Sequence, residues 1–499
     1  MIAQKLRSYR FLVILCVLSA ALADWLFFEP SGAPGWTLGI FAMFVLAVVL
    51  LRNTQLLRDR AGLILSAVAV TLSFAIAAQP GPLVFLCILC ALTSLAVLGR
   101  SGWTSNSVEW IQRWIKLPFK ALFQLIHDSR LSQRLRKAGH GKHVRLEAMK
   151  AIRTWLLPVG GSIFFLAIFS GVNPILADWM TTFRDYASVF FEQFDVSVPR
   201  IIFWIFISAG MWGMLRSRIR KQPPVPATLP TSSARGIQAA TIVRCLALFN
   251  AVFLFQTITD LIYLYGGRTL PNGMSYAYYA HRGAYPLIVT ALLAGIFVLI
   301  SFRAGLPTNE MRIARQLVYL WLSQNVLLTF SSLFRLHLYI GIYSMTRWRI
   351  AAAIWMALVA AGLISVGIRI WSGRSNRWLI NTNFVTTLCV LYLCCFVNFD
   401  SLIAWHNVKH CRELGGQEYY LDVAYLHSLG PEALPPLDWL AQRAPQTNIG
   451  AAANSYAINL RWQLIDQTRN WRSWTYRQYV LTNYAKNSKA TSASAIAAN

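Results

Sequence analysis

Eleven apolar runs, each close to the length of a bilayer-crossing helix, recur along this chain. They lie at about 11–29, 33–51, 61–79, 82–98, 154–176, 199–216, 237–265, 284–302, 316–340, 349–371 and 382–400. A helix needs roughly 20 apolar residues to cross the ~30 Å hydrocarbon core. Backbone groups have no water to pair with at that depth, so such runs are restricted to helices or closed barrels. Uninterrupted runs of this length read as helices. The run at 82–98 is short and the one at 237–265 is long. Charged residues make up 13% of the chain and hydrophobic residues 56%, with a mean hydropathy of +0.47. A soluble domain carries about twice that share of charge. The expectation is an all-α, polytopic transmembrane bundle of about eleven spans. The first run is followed almost at once by the second, so no removable signal peptide is expected.

The net charge of +27 is distributed unevenly. Alternate connecting segments, beginning with 1–10, hold 29 Lys and Arg, and the intervening ones hold 6. Positive residues accumulate on the cytoplasmic side of spans. This places the N-terminus in the cytoplasm and, after an odd number of spans, residues 401–499 outside. Basic loops beside spans explain the charge without nucleic acid. Seven of the eight cysteines fall inside apolar runs, and Cys411 has no partner beyond them, which excludes a disulfide framework. Cys87 and Cys90 have redox spacing but lie mid-run, where small buried apolar residues are the simpler reading.

Residues 1–98 read as four spans joined by very short connections. Residues 99–153 are cytoplasmic, basic and aromatic. Trp110, Ile111, Trp114, Ile115, Leu122, Leu125 and Ile126 recur at helical spacing, with Arg113, Lys116 and Lys120 between them. Such a helix either lies on the anionic lipid of the inner leaflet or packs on the protein with its charges setting topology. Residues 154–400 form the main seven-span domain, divided by a Pro/Ser/Thr-rich linker at 221–236. Residues 401–484 read as an extracytoplasmic helical region. Its helices are expected within 418–444, broken at Gly430-Pro431, and over 455–483. Residues 485–499 are low in complexity and expected to be disordered.

Ionisable groups at membrane depth are costly, and each needs a partner or a wet cavity. The seventh run carries Asn250, Gln256 and Asp260. The ninth carries Gln324, Asn325, Ser331, Ser332, Arg335 and His337, and the eleventh ends Asn398-Phe399-Asp400. Counted along their helices, Asp260, Arg335 and Asp400 differ in depth by roughly 8 Å or less. Arg335 can therefore pair with either carboxylate. The connection "LPNGMSYAYYAHRGAYP" at 270–286 meets the same surface with His281 and Arg282. Tyr339, Tyr343, Thr346, Arg347 and Arg349 follow in the next outer connection. Two readings stay open. Asp260, Arg282, Arg335, Tyr339 and Asp400 line an outward polar site for an anionic head group, or they are helix-end ion pairs and an aromatic belt that fix packing. Trp471, Trp474 and Arg477 would share one face of the last helix. His406 and His410 stand at i, i+4 without a third ligand, so no metal is expected. No cofactor-binding fingerprint, phosphate loop or nucleophile elbow is present.

In order and spacing, "SGVNPILAD" (170–178), "YLYGGRTLPNGMSYAYYAHRGAYPLIVTALLAG" (263–295), "FRLHLYIGIYSMTRWRI" (334–350), "NFDSLIAWHN" (398–407), "LDVAYLHSLGPEALPPL" (421–437) and "WRSWTYR" (471–477) resemble one family. It is the bacterial inner-membrane family called domain of unknown function 4173, with its relative 4153. The resemblance covers roughly 150–480 and implies a multi-pass protein with an extracytoplasmic helical part, and no activity. The chain departs from the family pattern at Tyr278 and His281, where the resemblance would place an acidic and a second basic residue. The first function considered is a non-enzymatic membrane protein in envelope signalling or in contact with a membrane-protein partner. The alternatives are a transporter or flippase for an anionic envelope molecule and a glycosyltransferase-like enzyme. The enzyme would need a sizeable first outer loop, and here that loop is nearly absent.

Overall fold

The computed structural model describes residues 2–28, 35–103, 106–117, 121, 162, 166, 178–182, 198–216, 239–262, 293, 312–416, 419–467 and 470–497. Among them the regular structure is helical, apart from one isolated bridge between Cys411 and Tyr419. The helices are α1 (Ile2–Phe27), α2 (Trp36–Arg52), α3 (Arg60–Ala78), α4 (Pro82–Ser101), α5 (107–117), α6 (Val198–Arg216) and α7 (Ala239–Asp260). The chain continues with α8 (Arg312–Tyr343), α9 (Arg347–Ser372), α10 (Asn376–Cys394), α11 (Phe399–His410), α12 (Val423–Ser428), α13 (Leu434–Arg443), α14 (Asn448–Gln467) and α15 (Tyr476–Ala497). Nine of the eleven apolar runs coincide with described helices; those at 154–176 and 284–302, apart from residues 162, 166 and 293, lie outside the described residues, as does the linker at 221–236. Five described helices are long and apolar enough to cross a membrane, and a bent pair makes a sixth.

That pair corrects the reading of the eleventh run. Its helix α10 stops at Cys394, and α11 leaves at 68°. The turn is capped: the Asn398 side chain accepts from the Ser401 N–H at 3.0 Å. Asp400 therefore sits in the first turn of a new helix, where a carboxylate complements the N-terminal end of the dipole.

Three cores organise the chain. The first joins α1–α4 and α6 through residues such as Val49, Leu72, Ile76, Leu95 and Leu215. Between α2 and α3 the backbones approach closely: a Cβ added at Gly39 would lie 2.7 Å from the Ser73 carbonyl oxygen and 2.9 Å from Ala77 Cβ. Small residues at helix crossings permit this packing in an apolar solvent, where burial by itself gives no drive to associate. The second core joins α7, α8 and α9 through Leu246, Val318, Trp321, Leu322, Leu363 and Val366. The third belongs to α11–α15, and Met345 and Ile350, from either side of the α8–α9 turn, pack against it.

The reading of 455–483 as one helix is also corrected. α14 ends at Gln467, a single turn follows at Trp471–Ser473, and α15 starts at Tyr476. Asn470 accepts from the Arg472 N–H at 3.0 Å and Thr475 from the Gln478 N–H at 3.1 Å. Two capping side chains so close together interrupt a helix. α15 runs on to Ala497, through the stretch expected to be disordered. Its Ala-rich composition, 490–498, is compatible with helix by propensity.

Candidate functional site

The polar residues of α7 and α8 meet along one seam. On α7 the inward positions are Leu246, Asn250, Phe253, Thr257 and Asp260; on α8 they are Trp321, Asn325, Leu328, Ser332 and Arg335. Both sets follow a 4-3-4-3 spacing, which keeps one stripe of a helix facing its neighbour. The helices run parallel. Asn250 donates to the Leu317 carbonyl at 3.0 Å, the Phe253 and Trp321 ring centroids lie 5.8 Å apart, and further along Asp260 pairs with Arg335. Helical side chains lean toward their N-terminus, which carries the Arg335 guanidinium back to the level of Asp260. Gln256 donates a second hydrogen bond to the same carboxylate at 2.9 Å. The pair is deeply buried, with side-chain exposures of 3% and 1%.

Asp400 does not join that pair. It accepts from Arg347 Nε at 2.5 Å in a half-exposed bridge between the starts of α9 and α11. The Arg347 backbone N–H reaches the Tyr425 hydroxyl at 3.2 Å. Tyr339 stands apart from both: the Arg349 guanidinium lies over its ring at 4.5 Å, and the Tyr343 ring is 4.9 Å away. Arg349 also donates to the carbonyls of Tyr343, at 2.6 Å, and Ser344. Ser344 has φ +70°, the one positive-φ non-glycine residue among those described. The arginine thus holds a turn in the left-handed region that a serine rarely adopts. Arg282 and His281 lie outside the described residues. Of the five candidate residues, the structure brings together Asp260 and Arg335 and gives Tyr339 and Asp400 other partners.

What these partners share is a role in fastening the C-terminal helices to the ends of the spans. Asn407, 1% exposed, brackets Met345: its Oδ1 accepts from the Met345 N–H at 2.7 Å and its Nδ2 donates to the Met345 carbonyl at 2.9 Å. Asn398 donates to Glu432 at 2.8 Å, and Arg477 lies 3.6 Å from Glu432. The Trp36 N–H donates to the Trp474 carbonyl at 3.2 Å, and the Trp471 ring sits 5.2 Å from Trp25 and 6.2 Å from Trp36. Trp471 and Trp474 therefore dock on the ends of α1 and α2 rather than sharing a helix face with Arg477. Neither that docking nor the bracketing by Asn407 was read from the sequence. The Trp-Arg-Ser-Trp motif opposite Trp36 was the available signal.

Inside the C-terminal helices, Asp438 takes Arg461 Nη2 in both carboxylate oxygens, at 2.6 and 2.7 Å. Burial, its largest influence, raises the Asp438 carboxyl above the ordinary range against the opposing pull of Arg461 and Tyr484. Burial and Asp438 push the Tyr484 hydroxyl up to about 12. His406 and His410 stack at 4.4 Å, and among the described residues no group of three ligands could hold a metal ion. All eight cysteines are free thiols.

No curated protein and no solved structure matches the chain. The family described as Domain of unknown function (DUF4153) matches residues 61–440. The matching model is that of 4153, the relative named above with 4173. With most of its length inside that match, and with apolar span-like helices throughout it, the chain belongs to the DUF4153 family.

Proposed function

We propose that this is an eleven-span protein of the bacterial inner membrane that acts without catalysis of its own. The N-terminus lies in the cytoplasm and residues 401–499 form an extracytoplasmic helical platform for envelope signalling or a membrane-protein partner. Helix direction supports the span count. α7 and α8 run parallel, so an odd number of crossings separates them, and the run at 284–302 is apolar enough to be one. α4 ends beside Asn53, at the end of α2 away from Trp36. α6 begins with Arg200 bonded to Asp24 at 2.8 Å, near the Trp25 and Trp36 face, and the run at 154–176 is apolar enough to make the crossing between them. The excess of basic residues on the opposite face supports the sidedness.

The observation that carries the platform reading is the fastening itself. Asp400 bonds to Arg347 at the start of α9 and Asn407 to Met345 in the α8–α9 turn, Asn398 ties the start of α11 to Glu432, and Trp36 of α2 bonds to the Trp474 carbonyl. Tyr420, in the connection before α12, and Trp462, on α14, remain 74% and 66% exposed. Aromatic side chains of this kind are enriched at protein interfaces. The test is complementation of a deletion strain. A Tyr420→Ala, Trp462→Ala double variant should be made at normal level and fail to restore envelope integrity. Full restoration by that variant would remove the platform.

The buried polar seam of α7 and α8 favours a second reading, transport or flipping of an anionic envelope molecule. A charge-swapped Asp260/Arg335 protein that is stable yet inactive would favour transport, because a packing pair tolerates reversal and a substrate pathway does not.

A further inference from the structure

The basic-face ends of α3, α4 and α10, together with α5, enclose an apolar crevice of about 290 Å³, close to the lower limit of small-molecule sites. Leu65, Phe384, Val385 and Leu388 form its apolar walls, with the buried Trp110 and the half-buried Trp114 beside them and the exposed Trp103 at its rim. Leu65 and Asn381 are each the sixth residue of their helices, and Ser94 lies seven before the end of α4. At 1.5 Å per residue the crevice therefore begins ~8–11 Å in from the helix ends, and Leu388 reaches ~18 Å. That depth matches the acyl region of one leaflet.

The crevice is built rather than incidental. The Trp114 indole N–H donates to Ser94 at 2.9 Å, and Ser107 is hydrogen-bonded to Asn381, its own N–H reaching that side chain at 3.0 Å. These two contacts hold α5 against α4 and α10 and keep the walls apart. Val385, 56% exposed, and Trp103, 61% exposed, leave the mouth apolar. By sequence, the segment that supplies α5 is basic: residues 99–153 hold twelve Lys and Arg against three Asp and Glu. On α5, Glu109 is engaged by Arg113 at 3.5 Å, which also lies over the Trp110 ring, while Lys116 is exposed.

We propose that this crevice binds one acyl chain of an anionic phospholipid of the cytoplasmic leaflet, with the head group on the basic face at the Trp103 mouth, where Lys116, on the side of α5 away from the crevice, adds to the positive potential. The tryptophan rim sits where indoles favour the boundary between acyl chains and head groups. A basic residue near an anionic surface contributes ~1 kcal/mol, about fivefold in affinity. The assignment of leaflet rests on the sidedness proposed above; the crevice itself does not.

The experiment uses the full-length protein in detergent, stripped and titrated with palmitoyl-oleoyl phosphatidylglycerol or phosphatidylcholine. Bound lipid is counted by native mass spectrometry and thermal midpoints are followed. One phosphatidylglycerol should be retained in preference to phosphatidylcholine. Val385→Trp, which fills the mouth without removing a contact between helices, should abolish that retention. Leu388→Trp serves if Val385→Trp is poorly made. Lys116→Gln should weaken phosphatidylglycerol about fivefold and leave phosphatidylcholine unchanged. Equal retention of both lipids, or retention undiminished in both filled variants, would overturn the proposal. Sidedness is read separately by labelling Lys116→Cys with a membrane-impermeant maleimide. Labelling in inverted vesicles alone supports the cytoplasmic leaflet; labelling in right-side-out vesicles alone overturns that leaflet and leaves the lipid result standing.

Discussion

Arg335→Ala should nearly abolish accumulation of the protein, and Asp260→Ala should do the same. Each leaves one charge at a site where both side chains are at most 3% exposed. Removing one partner of a buried pair costs ~3–5 kcal/mol, because the remaining charge has lost its water as well as its counterion. Gln256, which donates to Asp260, is neutral and cannot replace the guanidinium. The exchange Asp260→Arg with Arg335→Asp restores opposite charge and should recover a substantial part of the protein level. Arg347→Ala is the matched control. Its bridge to Asp400 is 52% exposed on the arginine side, and such pairs contribute ~0–1 kcal/mol. Protein level and thermal midpoint in detergent check all four variants. Normal levels of Arg335→Ala would mean that water or another group compensates the aspartate.

The second large effect falls on the C-terminal helices. Asp438→Ala removes the carboxylate that takes two hydrogen bonds from Arg461 between α13 and α14. The arginine is 17% exposed, so the loss is discounted to about 3 kcal/mol, at the low end for a buried pair. In a small helical domain that is a large share of a total of ~5–15 kcal/mol. Proteolysis of intact spheroplasts should then release fragments from 411–487 while the spans stay protected. pH adds a second readout. The folded-state pKa of Asp438 lies above its unfolded value, so the folded state binds this proton more tightly. Its contribution is complete below the ordinary carboxylate range and lost as pH rises through the raised value. Asp438→Asn should lack that dependence.

The apolar runs made the helices legible, because spanning length and composition are local properties. The site was legible in part. Depth counting brought Asp260, Arg335 and Asp400 to one level but could not choose between the two carboxylates, since lateral neighbours are not encoded in spacing along one helix. The choice is nonetheless foreshadowed by the matching stripes of Asn250, Thr257 and Asp260 on α7 and Asn325, Ser332 and Arg335 on α8. Thr257 had not been counted among the polar residues, and without it the stripe on α7 is broken. The bend after Cys394 was hidden because the apolar run continues through it; only Asn398, a capping residue, marks the new start. The docking of Trp471 and Trp474 on Trp25 and Trp36 joins segments more than 400 residues apart, and the Trp-Arg-Ser-Trp motif does not by itself say which segment it meets.

The central claim is that the C-terminal helices sit outside the cell on the ends of an odd number of spans. Alkaline phosphatase and a fluorescent protein, each fused after Lys486, test it most directly. Active phosphatase with a dark fluorescent fusion, at equal protein levels, is the predicted result. Inactive phosphatase with a bright fluorescent fusion would place this region in the cytoplasm and contradict the eleven-span account.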